Sequence, residues 1–222
     1  DRSAPVAPDQ YQDYPPLISS PDGRDVLYPA QTETGRIWMV RTLTDLDARP
    51  IPGTENAQYF VPSPSGEWAT FHRDGAYYRI PYVGGRGEKI LDAPLSFGGI
   101  GEDEYHVIFG SPVPGRGLVR VKLDTGEQEF LTEVDRTKGQ IFHAIYQAFP
   151  DKPVLIYMAS GWTMESNTIF AMSLETMETR EIVSSAMRPY YVDTGHLVYT
   201  LTGRLMALPF DLDRLEATRP ER

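Results

Sequence analysis

The sequence lacks cysteine, long apolar runs and an excess of positive charge. Without cysteine it has no disulfide framework and no thiolate site for metal binding or redox chemistry. It contains no run of about 18 apolar residues, so no membrane insertion is predicted. The 21 Lys and Arg residues are outnumbered by 31 Asp and Glu, and the net charge is −10. That charge opposes phosphate backbones and argues against a nucleic-acid partner.

Sequence motifs that carry catalysis are missing as well. There is no Gly-x-Ser-x-Gly nucleophile elbow, no phosphate-binding loop, and no kinase Gly-rich loop, His-Arg-Asp or Asp-Phe-Gly motif. We therefore predict that the chain is not an enzyme. We assign no catalytic, cofactor-binding or metal-ligating residues, and we expect no cofactor.

The sequence does contain a phrase that returns five times, a tight turn followed by an apolar run that ends in an aromatic residue. These closing aromatics are spaced by 43, 38, 48 and 42 residues: Tyr28, Phe71, Phe109, Tyr157 and Tyr199. A period near 40 residues, built from short strands, indicates a β-propeller. We predict an all-β fold of four-stranded antiparallel blades.

The repeats divide the chain into an arm at 1–14 and five blades. The blade boundaries are approximately 15–57, 58–94, 95–135, 136–186 and 187–222. The fifth repeat stops near 216–218, where its outer strand should begin. We therefore predict that the last blade is incomplete. The ring would be completed by the arm, by a sixth blade or by another chain, because an open ring leaves edge strands unpaired.

Several longer stretches of sequence also follow one another in a characteristic order along the chain. They include Ile37-Trp38-Met39-Val40, Tyr82-Val83-Gly84-Gly85, Leu123-Asp124-Thr125-Gly126 and Leu205-Met206-Ala207-Leu208-Pro209-Phe210-Asp211. This succession resembles the TolB-like propeller found C-terminal to bacterial serine/threonine protein kinases. The resemblance implies a sensing or protein-interaction module, located in the periplasm or cell envelope. Departures at Ser65 and at 102–104 predict altered local turn geometry.

Four histidines are present, and no two have metal-ligand spacing: His72, His106, His143 and His196. We predict structural roles for three of them, because they lie in or beside second strands. His143 precedes the inner strand of blade four and is a candidate for lining a ligand site at the central channel. Asp211 and Asp213 offer two carboxylates, but a calcium loop needs a third and a glycine turn. The sequence Glu102-Asp103-Glu104 is interpreted as a solvated turn.

The best candidates for exposed aromatics are Tyr77-Tyr78, Tyr190-Tyr191 and Trp162. The loop at 160–167 lengthens blade four, and loops on a rigid scaffold often carry recognition. The expected partner is a protein or peptide, with a small ligand at the channel mouth as a further option. Two alternatives remain open. One is a structural subunit that docks through its terminal blade, as a homo-oligomer or with a second chain. The other is the propeller of a hydrolase, either a peptidase gate or a small glycosidase.

Overall fold

A computed structural model describes residues 17–33, 35–93, 99–149 and 151–218. Blade one contains β1 (Ile18–Ser19), β2 (Asp25–Thr32), β3 (Gly35–Thr42) and β4 (Arg49–Pro50). Blade two contains β5 (Gln58–Pro62), β6 (Trp68–Arg73), β7 (Ala76–Pro81) and β8 (Glu88–Asp92). Blade three contains β9 (Gly99–Gly101), β10 (His106–Gly110), β11 (Leu118–Lys122) and β12 (Gln128–Phe130).

Blades four and five have longer first strands. Blade four contains β13 (Gln140–Phe149), β14 (Lys152–Gly161), β15 (Thr168–Ser173) and β16 (Thr179–Ser184). Blade five contains β17 (Ala186–Val192), β18 (His196–Leu201), β19 (Arg204–Asp211) and β20 (Glu216–Ala217). The helical segments of the described residues are two 3-10 turns, Arg136–Lys138 and Met164–Ser166. No helix within the described ranges is long and apolar enough to cross a membrane.

Each sheet follows chain order, with every strand antiparallel to the next, so the molecule is a ring of five four-stranded blades. The predicted all-β propeller is confirmed. The fifth sheet also has its outer strand, because Phe210 pairs with Ala217 and Asp211 with Glu216. This strand, which was predicted to be missing, has only two residues, and a segment that short has no recognisable strand pattern in the sequence. The predicted arm at 1–14 lies outside the described residues.

Apolar seams join consecutive blades. In the seam between blades one and two, Trp38 lies against Phe60 with ring centroids 5.3 Å apart. Between blades two and three, Tyr77 stacks on Phe109 at 3.7 Å. Two further clusters join blade three to four and four to five. Burying each large apolar side chain contributes about 1.5–3 kcal/mol, so the seams hold the ring together.

The two terminal blades differ from this pattern. A cluster of Tyr28, Ala30 and Met39 draws only on blade one. Within the described ranges, no apolar cluster joins blade five to blade one. On the face of blade five that turns away from blade four, Tyr190 is 59% exposed and Leu205 is 78% exposed. That face is called the free face of blade five below.

The turn between first and second strands is built on a hydrogen-bond acceptor. In blade one, Asp22 accepts bonds from the Ser20 hydroxyl and the Arg24 backbone N–H, and the Ser20 bond lowers the pKa of Asp22. In blade two, the Ser65 hydroxyl takes this role and accepts from the Glu67 N–H at 3.2 Å. In blade three, Asp103 accepts from the backbone N–H groups of Tyr105, the last residue of the turn, and His106, the first residue of β10. The departures from the repeat phrase therefore keep the turn's bonding pattern with other residues.

Hydrogen bonds also join neighbouring blades across the seams, beside the apolar clusters. The carboxylate of Glu104 accepts from the Trp68 indole N–H at 2.8 Å and from the Ser65 backbone N–H at 3.0 Å, which ties blade three to blade two. The Gln147 amide both donates to and accepts from the backbone of Tyr191, which ties blade four to blade five. These bonds fix the blades in register, because an apolar contact alone has no preferred direction.

His143 lies in the seam between blades three and four and is 3% exposed. Its Nδ1 lies 2.8 Å from the Thr132 hydroxyl, and its Nε2 lies 3.1 Å from Gln140 Oε1. This pattern fits a neutral imidazole that donates from Nε2 and accepts at Nδ1. Burial lowers the pKa of His143 to about 4. Gly117 makes room for the ring, since a Cβ there would lie 2.1 Å from Nδ1.

We predict that Glu104→Ala lowers the free energy of unfolding by about 1–3 kcal/mol. The reason is that the Trp68 indole N–H, on a side chain only 3% exposed, loses its acceptor. Urea denaturation of wild type and variant gives the difference. The matched control is Glu127→Ala, in an exposed turn of the same blade, which should stay within about 0.5 kcal/mol. Equal effects of the two substitutions would show that the Glu104 bond contributes nothing.

We also predict that acid weakens the fold through His143. The folded pKa of about 4 lies below the unfolded value of about 6.5, so the unfolded chain binds more protons between these two values. The stability contributed by this group is complete above pH 6.5. It falls as the pH drops to 4, by up to about 3 kcal/mol.

Urea denaturation of wild type and His143→Gln at several pH values tests this. Wild type should be the more stable protein at neutral pH, and its advantage should shrink on acidification. His196→Gln leaves the seam untouched and serves as the control. Parallel pH profiles for wild type and His143→Gln would contradict the assignment.

Candidate functional site

The connection from β14 to β15 presents the most exposed aromatic side chain among the described residues. Trp162 is 89% exposed. At the same end of blade four, Met164 is 38% and Ile141 is 37% exposed. Ile141 reaches this position because its neighbour Gln140 pairs with Gly161 across the first two strands of the blade. Ile141, Trp162 and Met164 are called the Trp162 surface below.

Hydrogen bonds hold this loop in one shape. The Asn167 side-chain oxygen accepts from the Gly161 N–H at 3.1 Å, and the hydroxyls of Thr163 and Ser166 lie 3.1 Å apart. The Ser185 N–H donates to the Asn167 carbonyl, which ties the end of the loop to the residue that follows the outer strand of blade four. Gly161 is required here, because a Cβ would lie 2.2 Å from Ser166 Cβ. Trp162 is thus displayed from a loop that is already ordered.

The predicted exposed aromatics are only partly found at the surface. Tyr190 is exposed and Tyr191 is half-buried. The prediction for Tyr77-Tyr78 is wrong, since Tyr77 is 1% exposed and Tyr78 stacks on Phe71. Neighbouring residues on a third strand face opposite seams, and here both seams are covered by the adjacent blades.

The histidines lie apart and are bonded within their own surroundings. The Nε2 of His72 lies 2.8 Å from the Ala93 carbonyl oxygen, and the ring is buried. His106 pairs with Asp103 through Nδ1 at 2.9 Å, and His196 lies against Thr194. The expectation that His143 lines the channel is wrong, because its ring is enclosed in a seam with both nitrogens bonded.

The carboxylates of Asp211 and Asp213 already have bonding partners within the protein. Asp211 accepts from the backbone N–H groups of Asp213 and Arg214, and Asp213 pairs with Lys152 at 2.6 Å. Among the described residues, no group of three or more His, Asp or Glu side chains is placed to hold a metal ion.

The interpretation of 102–104 as a solvated turn is wrong. Burial raises the pKa of Glu102, whose carboxylate pairs with Arg120 at 3.1 Å. Burial also acts to raise the pKa of Asp103. The bonds from His106 and from the backbone N–H groups outweigh it and lower that pKa. Glu104 is the third bonded carboxylate of the turn, and it bridges to blade two. The partners Trp68 and Arg120 are distant in sequence, so local pattern gave no signal of them.

Two clefts open at the end of the ring opposite Trp162. A cleft of about 750 Å³ lies where turns of blades four and five meet, and is called the blade 4–5 cleft. Its wall includes Lys152, Arg180 and Asp213, and its floor includes Val154 and Leu215. A smaller cleft of about 360 Å³ lies on blade three beside His106 and Arg120. Neither cleft was predicted from the sequence, because the larger one is assembled from turns far apart in the chain and the smaller one from side chains on three strands of one blade.

The comparisons with known proteins identify the fold. No family model and no curated protein matches the chain. Among solved structures, it is similar to TolB from Acinetobacter baumannii, with a TM-score of 0.69 and 14% identity over 89% of this chain and 52% of that chain. It is also similar to an oligogalacturonate lyase in complex with manganese, with a TM-score of 0.62 and 16% identity over 90% of this chain and 62% of that one.

A third similar structure is the β-propeller domain of the Trilobed protease from Pyrococcus furiosus. Its TM-score is 0.63, with 13% identity over 88% of this chain and 67% of that chain. The chain spans 52% and 62% of the length of the TolB and lyase structures. At these identities the likeness extends to the fold alone: the chain forms a β-propeller of the kind seen in TolB.

Proposed function

We propose that this propeller is a non-enzymatic sensing or protein-interaction module of a bacterial signalling or envelope protein, and that it binds its partner through the Trp162 surface. The observation that carries the proposal is the 89% exposure of Trp162 on a hydrogen-bonded loop. The resemblance to kinase-associated propellers and the fold likeness to TolB support an extracytoplasmic location.

An exposed Trp on an ordered loop is well suited to anchor a protein partner. Trp is enriched among the few residues that contribute most of the binding energy at protein interfaces. Because the bonds of Asn167 and Ser166 already fix the loop, little conformational entropy is lost on association. The adjacent Met164 adds a flexible apolar contact that adapts to the partner's shape. The three side chains together form a small hot spot at one end of blade four.

We propose that partner binding is transmitted to an attached effector because neighbouring blades are rigidly connected. The Gln147–Tyr191 bonds connect the loop's blade to blade five. A partner that touches blades four and five together shifts the orientation or association of the domain. An attached effector, such as a kinase domain, is biased to the extent that it favours one of those arrangements.

The proposal includes no reaction carried out by the propeller itself. A serine nucleophile needs a base within hydrogen-bond reach, and the buried hydroxyl of Ser160 has no hydrogen-bond partner among the described residues. The two nitrogens of His143 are engaged by Thr132 and Gln140. These arrangements support a binding role rather than the hydrolase alternative.

We predict that Trp162→Ser weakens partner binding by about 30-fold or more, as loss of an interface hot spot does. The partner is first identified in cells of the source organism by a photo-crosslinking residue placed at position 164, beside the intact Trp162, with position 105 at the opposite end as comparison. Calorimetric titration with the purified partner then gives the dissociation constants of wild type and variant.

The matched control for this prediction is Leu46→Ser. Leu46 is 90% exposed, and it lies in a turn of blade one at the opposite end of the ring. This control should leave affinity within twofold. If Trp162→Ser also leaves affinity within twofold, the Trp162 surface is not the binding site.

The free face of blade five favours a second candidate function, a subunit of a permanent assembly with a second copy of this chain. On this free face, neighbouring residues of β17, β18 and β19 form two rows across the strands. One row is Tyr190, Val198 and Ala207, and the next is Met187, Thr200 and Leu205. These are mostly apolar, as in the seams between blades, yet Tyr190, Leu205 and Ala207 are exposed. Exposed apolar faces of this kind mark association sites.

Light scattering over a range of concentrations tests this second candidate. The expected result is a mass above the 25.0 kDa of one chain that rises with concentration. Leu205→Glu should return it to the single-chain value, because a buried unpaired charge opposes association. Leu46→Glu is the control and should change nothing. A wild-type mass of one chain at every concentration would rule the assembly out.

A further inference from the structure

The two ends of the ring differ strongly in charge. One end is formed by the ten turns that join first to second and third to fourth strands in each blade. By the strand bounds, these turns contain fourteen Asp and Glu residues and three Arg residues. The connections at the opposite end contain six Asp and Glu residues against three Arg and Lys. Among the connections between the described strands, negative charge is therefore concentrated at one end, called the acidic end below.

The blade 4–5 cleft opens at this acidic end. Its 750 Å³ are bounded by the β13–β14 and β15–β16 turns of blade four and by the β19–β20 turn of blade five. The floor is apolar, since Val154, Leu212 and Leu215 are each no more than 5% exposed and belong to the seam cluster. Leu215 is held in the left-handed region, with φ of 53°, a conformation that is unfavourable for a Leu. The Asp211 bonds to the backbone maintain that turn.

Each of the three cations of the cleft has a carboxylate within 4.0 Å. Lys152 pairs with Asp213 at 2.6 Å. Arg180 pairs with Glu178 at 2.7 Å and with Glu216 at 3.6 Å, and Arg214 lies 3.9 Å from Asp211 and 4.0 Å from Glu216. Two further carboxylates of the lining, Asp151 and Glu175, form no ion pair with any described residue. The lining thus combines an apolar floor with five carboxylates against three cations, so that its rim carries net negative charge.

We propose that the blade 4–5 cleft binds a cationic segment of a partner polypeptide, with an aliphatic side chain on the floor and Lys or Arg side chains on the rim. The aliphatic side chain of the segment gains free energy because its own apolar surface leaves water on the floor, and the rim carboxylates select positive charge. The negative field of the surrounding turns draws such a segment in from beyond direct contact. This site is separate from the Trp162 surface and does not depend on the function proposed for it.

A labelled peptide of alternating lysine and leucine, KLKGKLK, is the probe, and its glutamate counterpart ELEGELE is the comparison. Fluorescence anisotropy on the full chain gives both affinities at low and at physiological salt. The lysine peptide should bind, the glutamate peptide should not, and binding should weaken with salt because exposed charges are screened.

Two matched double variants locate the peptide. Asp151→Asn with Glu175→Gln removes the two unpaired carboxylates of the cleft and should weaken binding about tenfold. Glu33→Gln with Asp74→Asn makes the same charge change at the opposite end and should leave affinity within twofold. Trp162→Ser should also leave it unchanged, so that a failure here is separable from a failure of the proposed function.

Three results would overturn the proposal. The first is no binding of the lysine peptide at millimolar concentration. The second is equal weakening by both double variants, which would mean attraction to overall charge rather than to the cleft. The third is binding of the glutamate peptide with similar affinity.

Discussion

Face-to-face packing of neighbouring blades is the interaction on which this structure depends. The middle strands are covered on both faces, so Leu27, Leu155 and Ile156 are 0% exposed. Because both faces are apolar, such a strand has a nearly continuous hydrophobic run instead of an alternating one. Each blade therefore needs a neighbour on each side. The free face of blade five is where this requirement is least satisfied among the described residues.

The turns between first and second strands require a side chain that accepts hydrogen bonds from backbone N–H groups, but not one particular residue type. Asp22, Ser65 and Asp103 each accept backbone N–H bonds in the turns that precede second strands. Once Asp103 fills that role in blade three, Glu104 is available to reach the Trp68 indole of the preceding blade. A turn that looks irregular in sequence is thus both a local turn and a bond between blades. The bond acts on the buried edge of the seam, where an unpaired indole N–H would be costly.

The fold could be predicted well from the sequence because the repeated motif contains the second strand of each blade. That strand is buried on both faces and therefore has to be apolar in every blade. Burial of individual side chains was harder to predict. Whether Tyr77 is exposed depends on Phe109, 32 residues further along the chain, and the two meet only when blades two and three pack. The same holds for Glu102, whose partner Arg120 lies on another strand of its blade. Trp162 was recognised as a candidate because its loop departs from the repeat length, which is a signal visible without the structure.

The acidity of one end has two physical sources, and they separate by residue type. Eight of the fourteen carboxylates in its turns are Asp, which turns favour because its short side chain bonds to nearby backbone N–H groups. The other six are Glu, which turn formation does not favour. Glu102 and Glu104 bond to Arg120 and Trp68, but Glu175 forms no ion pair with a described residue and stands at the mouth of a cleft with an apolar floor. Turn chemistry alone would have produced a less acidic end, and one of the remaining glutamates, Glu175, lies on the rim of the cleft for which a cationic partner is proposed.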